Sequence, residues 1–409
     1  MTHIGDSAIM AFRLAGKGRA LASARALIFG EGGIPAYFTL AILLFITTFL
    51  LLPTAKMVNN YYYAFIAAPA LAALFRLRGK LDLRQPGILL WGVLFAWCAL
   101  SGTAQYAKHL FYVALFLLAV MRLAATGIFR TGMFARAMFW IVLGYIFISV
   151  ALYWLNGEYE LGQRVALLIG RLNGCTYVSI WLAACLALAF PFWFAGGRWT
   201  EMALAILLSF IAIIYMLQSR SGLLGMCVVP MFILSYVWHK RRAARCVAAA
   251  FAVFTMAVSF VLWLDPSLHE IVFRGDSGRF ELWQKLMLDW KQCGPWLGCG
   301  TGFQSAQTIL DGGLPILHPH NIFLAFAFYN GLPALFIFFA LCAHLLYTAW
   351  RACDPWGGYL LSAMIGLNFE GGQVIGNPDA LWLLILLPMA LIAASQRRKT
   401  PGGASPAVT

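Results

Sequence analysis

Two histidines, His318 and His320, lie where a long polar segment meets an apolar run, in the sequence His-Pro-His-Asn over residues 318–321. Histidine titrates near neutral pH, so either side chain is a candidate general base. The alternative is a histidine that caps the following helix or lies in the headgroup layer of a membrane. Histidines at i and i+2 do not share a helix face, and no Asp, Glu or Cys cluster adjoins them in the sequence, so we do not expect a metal site.

A tight polar turn between two long apolar runs contains Arg220, in the sequence Gln-Ser-Arg-Ser-Gly over residues 218–222. A guanidinium binds phosphate through paired hydrogen bonds and stays charged, so Arg220 is a candidate anion-binding residue at the mouth of a cavity. The alternative is an arginine that extends along the helix end to reach lipid headgroups.

A second candidate anion site is the sequence Arg-Gly-Asp-Ser-Gly-Arg over residues 274–279. This pattern predicts a turn followed by a helix, with Ser277 as the N-cap. Arg279 then falls in the first helical turn, where exposed backbone N–H groups also favour anions. Either Arg274 or Arg279 could face the anion. The alternative is an interfacial helix whose arginine pairs with a neighbouring carboxylate.

Residues 295–303 form a glycine-rich turn, Pro-Trp-Leu-Gly-Cys-Gly-Thr-Gly-Phe, which alone does not identify a phosphate-binding loop. Cys293 and Cys299 are the two cysteines that lie clearly outside the apolar runs. A disulfide that closes the turn is compatible with their spacing, provided that the segment faces an oxidising compartment.

The composition identifies the element type that must position these residues. Of the 409 residues, 62% are apolar and 11% are charged, against roughly 45–50% and about 25% in soluble domains. The apolar runs are continuous rather than alternating, which excludes a transmembrane β-barrel and predicts membrane-spanning helices. The sequence therefore predicts an all-α, polytopic integral membrane protein.

We expect about twelve spans. Asn330-Gly331-Leu332-Pro333 should break or kink the tenth span, because proline removes a backbone donor and clashes with the preceding turn. A short re-entrant helix followed by a true span is the alternative there. The candidate spans are 34–53, 59–76, 87–101, 106–121, 137–155, 174–194, 202–218, 221–238, 244–264, 320–349, 357–374 and 379–395.

The charge distribution predicts the topology. With a cytoplasmic N-terminus, the loops on the cytoplasmic side hold twenty of the 29 Lys and Arg residues but five of the 15 Asp and Glu residues. This asymmetry follows the positive-inside rule and predicts that both termini are cytoplasmic. The net charge of +14 is then explained by topology and by anionic membrane lipids rather than by nucleic-acid binding.

The longest polar segment then faces the exterior, and a loop of this length is usually functional. We expect it to form short helices at the outer interface of the membrane. The predicted organisation is a cytoplasmic N-terminal tail (1–33), nine transmembrane helices (34–264), a periplasmic loop (265–319), three further transmembrane helices (320–395) and a cytoplasmic C-terminal tail (396–409).

Together these motifs resemble those of bacterial O-antigen ligases (WaaL) and their relatives, the Wzy-type polymerases and the protein O-oligosaccharyltransferases. The resemblance covers the span pattern of the whole chain, and its specific motifs fall within residues 171–331. They are His320-Asn321 followed by Gly331, Gly278-Arg279, Leu282-Trp283, the set Pro295, Gly298 and Gly300, Arg220, and more faintly Arg171 with Asn173-Gly174.

The resemblance implies a glycosyltransferase of GT-C-like architecture in the bacterial inner membrane, with its site on the periplasmic side. The implied reaction is transfer of a glycan from undecaprenyl diphosphate to a hydroxyl of the lipid A core, with inversion and without a metal or other cofactor. The implied roles are His320 as base, with His318 and Asn321 as auxiliary residues. The arginines assigned to the diphosphate are Arg220, Arg279, Arg274 and Arg171.

Other functions remain open from the sequence. A polymerase would use the same donor with a second undecaprenyl-linked glycan as acceptor. A protein-glycosylating relative would usually carry a longer C-terminal extension. A twelve-span secondary transporter is the alternative from another class, but it would place ionisable groups near the bilayer midplane and show two similar halves, neither of which is visible here.

Overall fold

In the computed structural model of the chain, the described residues are 33–76, 86–101, 104–160, 162–227, 278–305, 307–309, 314–316 and 318–396. Arg274 and most of the predicted eighth and ninth spans lie outside them.

Helices dominate the described residues. A single antiparallel pair of short strands, β1 (Thr308–Ile309) and β2 (Leu314–Pro315), lies in the predicted periplasmic loop. The α-helices are α1 (Gly33–Leu51), α2 (Ala55–Tyr62), α3 (Ala68–Arg76), α4 (Pro86–Ser101), α5 (Ala104–Leu118), α6 (Gly132–Leu155), α7 (Cys175–Ala195), α8 (Trp199–Phe210), α9 (Arg279–Cys293), α10 (Ile322–Ala352), α11 (Trp356–Gly366) and α12 (Leu387–Gln396). π-Helical turns lie at Tyr63–Ala67, Ala119–Leu123, Ile211–Met216 and Trp382–Leu386, a 3₁₀ turn lies at Ile128–Arg130, and residues 220–227 are also helical.

Six helical segments among the described residues are long and apolar enough to cross a membrane, so the chain is a polytopic membrane protein. Two shorter apolar helices accompany them, and the count of twelve stays a prediction. The six are Gly33–Leu51, Tyr106–Leu123, Gly132–Leu155, Cys175–Ala195, Trp199–Met216 and Ile322–Ala352.

One predicted span is wrong in its extent. The sequence predicts a span over 357–374, but α11 ends at Gly366, and irregular backbone follows up to Asp379. This segment contains the only charged groups of the apolar run from 357 to 395, Glu370 and Asp379. A helix there would place a carboxylate among apolar side chains, whereas the loop turns it towards polar partners.

Helix α7 lies at the centre of the bundle. It packs against α6, α8 and α11, and every residue from Val178 to Phe190 is buried. A helix that is apolar on all faces belongs in the interior of a bundle. The N-terminal end of α7 and the segment before it therefore form a fixed wall for any cavity at that end.

Two segments that the charge pattern places on the same side of the membrane meet in the structure. Arg130 Nε lies 3.1 Å from Asp354 Oδ2, and Trp356 Nε1 donates to the Phe129 carbonyl at 2.9 Å. The ion pair joins the segment before α6 to the turn before α11, as expected if both are at one end of the bundle.

Helix α10 changes direction at Gly331, as the sequence predicts for this region. Gly331 has φ 82° and ψ 171°, a conformation that is almost restricted to glycine, and a Cβ there would overlap the Trp296 carbonyl oxygen. The glycine-rich turn docks at this kink through backbone hydrogen bonds from Cys299 N to Phe328 O (2.7 Å) and from Leu332 N to Pro295 O (2.9 Å).

The glycine-rich turn is thus a packing element of the fold. At Gly298 a Cβ would lie 2.6 Å from the Phe328 carbonyl oxygen, so the close approach of two backbones requires glycine here. Cys293 and Cys299 form a disulfide that closes the turn, in agreement with their spacing. Leu282 and Leu286 of α9 pack with Phe328 and Tyr329 of α10 in a second apolar cluster.

We predict that Gly331→Ala lowers the free energy of unfolding by at least about 2 kcal/mol, because it adds left-handed backbone strain to a steric overlap. The measurement is the midpoint of thermal unfolding in detergent. Gly302→Ala in the same turn is the matched control, since a Cβ there meets no atom within 4 Å. Equal midpoints for both variants would contradict the docking of this turn at the kink.

Candidate functional site

The carboxylate of Glu370 lies close to two of the candidate motifs, the one that contains His320 and the one that contains Arg279. His320 Nδ1 lies 2.9 Å from Glu370 Oε1, and Arg279 Nη2 lies 4.0 Å from Glu370 Oε2. Glu370 is largely buried, with 12% of its side chain exposed. Three segments that are far apart in the chain therefore meet at one side chain.

The backbone around His320 is fixed by its neighbour Asn321. Asn321 is the N-cap of α10, where its Oδ1 accepts hydrogen bonds from Phe323 N (2.9 Å) and Leu324 N (3.0 Å). Its Nδ2 donates to the Asn368 carbonyl at 2.9 Å, which attaches the start of α10 to the loop that carries Glu370. His320 itself has φ 50°, a left-handed conformation that is uncommon outside glycine.

Arg279 is the first residue of α9, as predicted, but the cap differs from the prediction. Gly278 occupies the N-cap position with φ 75°, and the predicted N-cap, Ser277, lies outside the described residues. Trp283 Nε1, one turn along α9, donates to the Pro319 carbonyl at 2.8 Å. This hydrogen bond holds α9 against the residue between the two histidines.

The carboxyl of Glu370 remains ionised at neutral pH. Burial alone would raise its pKa, but the hydrogen bond with His320 and the charges of His320, His318 and Arg279 hold that pKa below its ordinary value. Burial and the nearby charge of His320 lower the pKa of His318, although Glu370 opposes this shift. His318 is therefore neutral at physiological pH, and its ring centroid lies 4.0 Å from that of His320.

The fold brings a carboxylate next to the two histidines, although none is near them in the sequence. Potential ligand atoms of His318, His320 and Glu370 lie within 4.8 Å of one another. Such a set of imidazole and carboxylate groups could hold a divalent cation of the zinc type. The sequence could not reveal this cluster, since Glu370 lies fifty residues beyond His320.

Arg220 follows a polar turn. Another arginine, Arg164, links this turn to α7 through hydrogen bonds. Arg164 Nε donates to the Leu217 carbonyl at 3.2 Å, and its Nη2 donates to Thr176 Oγ1 at 3.4 Å. Ser219 Oγ, next to Arg220, accepts a hydrogen bond from Ser179 Oγ at 2.5 Å. Arg220 is thus positioned at the end of α7 that also faces the histidines.

Two cavities adjoin this cluster in the described part of the chain, and Gly174 and Tyr177 line both. The first, of about 320 Å³, is lined by Arg164, Thr176 and Glu370, and we call it the arginine cavity. The second, of about 510 Å³, we call the amide cavity. Its lining includes both shared residues together with Phe49, Arg171, Asn173, His318, Tyr329, Gln373 and Asp379.

Most of the site residues that the sequence proposes lie in or beside this cluster. It brings His318, His320, Asn321 and Arg279 together, while Arg171 lines the amide cavity beside His318. The residues that sequence reasoning missed are Glu370, Arg164, Gln373 and Asp379. The available signal was the polar sequence Asn-Phe-Glu-Gly-Gly-Gln over residues 368–373, which is out of place inside a membrane span.

Comparison with known proteins finds the same resemblance. Residues 203–339 match the family model described as O-Antigen ligase. This range contains Arg220, Arg279 and His320, the residues on which the resemblance depends. The resemblance to the O-antigen ligase family is confirmed.

A curated O-antigen ligase of Pseudomonas aeruginosa is 28% identical to the chain over 181 residues. The alignment covers 43% of this chain and 43% of that ligase, so it spans less than half the length of either protein. Glu370 lies outside the segment that matches the O-antigen ligase family model. Its place in the site therefore comes from the geometry alone.

We predict that Asn321→Ala lowers the free energy of unfolding by about 1–2 kcal/mol, because it removes the N-cap of α10. Asn321→Ser keeps a capping oxygen and should recover part of the loss. The measurement is again the thermal midpoint in detergent. Asn156→Ala, at the exposed C-terminus of α6, is the control that should change it by less than about 0.5 kcal/mol. An unchanged midpoint for Asn321→Ala would mean that this cap does not stabilise the start of α10.

Proposed function

We propose that this chain transfers a glycan from undecaprenyl diphosphate to a hydroxyl group of the lipid A core, at the periplasmic face of the bacterial inner membrane. The observation that carries the proposal is the Glu370 carboxylate, which lies 2.9 Å from His320 Nδ1 and 4.0 Å from Arg279 Nη2. In this proposal His320 is the base, and Arg279 binds the diphosphate beside it. The match to the O-antigen ligase family supports the same assignment.

Glu370 fixes which nitrogen of His320 acts as the base. Because its carboxylate is ionised, Glu370 can only accept hydrogen bonds, so the hydrogen atom in its contact with His320 lies on Nδ1. The lone pair of the neutral ring is then on Nε2, which is the proton acceptor for the sugar hydroxyl. Glu370 also stabilises the imidazolium that forms when the proton is transferred.

In the transfer step, Nε2 removes the hydroxyl proton while the hydroxyl oxygen bonds to the anomeric carbon of the donor. The bond between that carbon and the diphosphate oxygen breaks, and its electron pair leaves with undecaprenyl diphosphate. Arg279 and Arg220 neutralise the charge that develops on the diphosphate. A single displacement of this kind inverts the anomeric configuration.

Guanidinium groups supply the positive charge in this proposal, so the reaction needs no divalent cation. Arg164 adds to the set that the sequence proposes, because it lines the arginine cavity together with Glu370. The phosphate-binding group is then Arg164, Arg220 and Arg279, with Arg274 as a further candidate outside the described residues.

We predict that purified protein in liposomes transfers glycan from undecaprenyl diphosphate to lipid A core in the presence of EDTA. His320→Ala should reduce the rate by about 10²–10⁴-fold, the usual contribution of a general base. Arg279→Ala and Arg220→Ala should each reduce it by about 10²–10³-fold through loss of charge stabilisation. The measurement is product formation by gel shift of the lipid A core.

Two controls match these variants. Lys291→Ala removes a basic residue from the other end of α9, and His109→Ala removes a histidine of α5; both should keep the rate within about twofold. Full activity of His320→Ala would disprove the base assignment. Loss of activity in EDTA, restored by a divalent cation, would instead assign His318, His320 and Glu370 to a metal. Products formed only from two donor molecules would indicate a polymerase.

We predict that Glu370→Gln reduces kcat by about 100-fold and leaves KM within about threefold. The amide can still accept the hydrogen bond from Nδ1 and so keeps the ring in place, but it no longer stabilises the positive charge that the ring gains during transfer. Glu158→Gln, in an exposed loop, should leave both constants unchanged. An unchanged kcat in Glu370→Gln would show that the carboxylate does not act through His320.

A further inference from the structure

The amide cavity is a second binding space, lined by His318 next to His320. Its volume of about 510 Å³ falls within the range of roughly 300–1,000 Å³ that is typical of ligand pockets. One wall is the segment 171–177, which leads into α7. Another wall is the segment 372–381, which follows Glu370 and is irregular up to Asp379.

Planar hydrogen-bonding groups and aromatic rings line this cavity together. Asn173 and Gln373 contribute amides, Arg171 contributes a guanidinium and Asp379 contributes a carboxyl group, while Tyr177 adds an aromatic ring. Sugar hydroxyls both donate and accept hydrogen bonds, so they match side chains that offer paired donors and acceptors. The apolar faces of sugar rings pack on aromatic side chains. The lining therefore has the chemistry of a carbohydrate subsite.

Two buried polar atoms that belong to residues of this lining have no hydrogen-bond partner in the described part of the chain. They are Arg171 Nε and His318 Nδ1. Buried polar atoms in folded proteins nearly always have a partner, because an unsatisfied group costs on the order of 1–3 kcal/mol. Both side chains line the amide cavity, so rotation towards a polar ligand there would supply the missing partners.

The charges distinguish this cavity from the arginine cavity. In the amide cavity the guanidinium of Arg171 is opposed by the carboxyl of Asp379, whose burial raises its pKa to about 7 against the effect of Arg171. Arg164 and Glu370 both line the arginine cavity. Arg279 lies 4.0 Å from the same Glu370 carboxylate. A dianionic diphosphate favours the side with the surplus of guanidinium groups. An uncharged sugar fits the amide cavity, which has a single guanidinium whose charge Asp379 offsets in part.

We infer that the amide cavity binds the acceptor sugar, with Arg171 and Asn173 hydrogen-bonded to its hydroxyl groups. His318 lines this cavity, and its ring lies 4.0 Å from that of His320, so a sugar there is adjacent to the base. The inference rests on the proposed function, which defines one sugar as the acceptor and the other as the donor. It reassigns Arg171 from the diphosphate to the acceptor.

The test measures binding of two soluble probes to the full chain in nanodiscs, without turnover. The probes are the delipidated core oligosaccharide, which carries the acceptor hydroxyl, and inorganic pyrophosphate. Asn173→Ala and Arg171→Lys should each weaken oligosaccharide binding by about tenfold, the effect of one lost hydrogen bond, and leave pyrophosphate binding within about twofold. Arg164→Ala should weaken pyrophosphate binding by about tenfold and leave oligosaccharide binding within about twofold.

Asn377→Ala is the matched control, because it removes an exposed amide from the same segment without touching the cavity lining. It should leave both dissociation constants within about twofold. The thermal midpoint of each variant confirms that it is folded. Weaker pyrophosphate binding in Asn173→Ala or Arg171→Lys, or no binding of the oligosaccharide to the wild type, would overturn the inference. Oligosaccharide binding without any glycan transfer would overturn the proposed function and leave the subsite in place.

Discussion

The site depends on one buried carboxylate that has two basic partners. Each oxygen of Glu370 faces a different group, His320 at 2.9 Å and Arg279 at 4.0 Å. Burial of a carboxylate is costly unless the charge is paired and hydrogen-bonded, so Glu370 stays ionised only while both partners remain in place. The same contacts set the orientation of the imidazole and the position of the first turn of α9. Removal of any one member would therefore change the electrostatics of the other two.

Such an arrangement requires a rigid frame, because the three residues come from separate segments. Asn321 attaches the start of α10 to the segment before Glu370, and Trp283 attaches α9 to Pro319. The glycine-rich turn fixes the far end of α9 against the kink of α10 through backbone hydrogen bonds. Each attachment uses a local feature, namely a cap, an indole donor or a glycine. Together they make the left-handed backbone at His320 tolerable, since strained residues persist where the surroundings determine them.

The sequence predicts the parts of this site that depend on local chemistry. Continuous apolar runs predict the helices, the proline and glycine near 331 predict the kink, and residue types at chain-local spacings identify His320, Arg279 and Arg220. Glu370 could not be found in this way, because apolar periodicity extends a span across it and no motif marks its pairing with a residue fifty positions earlier. Arg164 was missed for a related reason. Its role depends on contacts with Leu217 and Thr176, which belong to separate elements and meet only in the folded chain.

In the proposed reaction, the two cavities serve two lipid-linked substrates with different electrostatic needs. The leaving diphosphate needs concentrated positive charge, whereas the acceptor hydroxyl needs a base whose proton affinity is not lowered by that same charge. Glu370 separates these demands, because its carboxylate lies between Arg279 and His320 and offsets the positive field at the imidazole. In the amide cavity, Asp379 offsets part of the charge of Arg171. In the proposed mechanism, arginines serve in place of a metal ion because these carboxylates limit their field on the acceptor side.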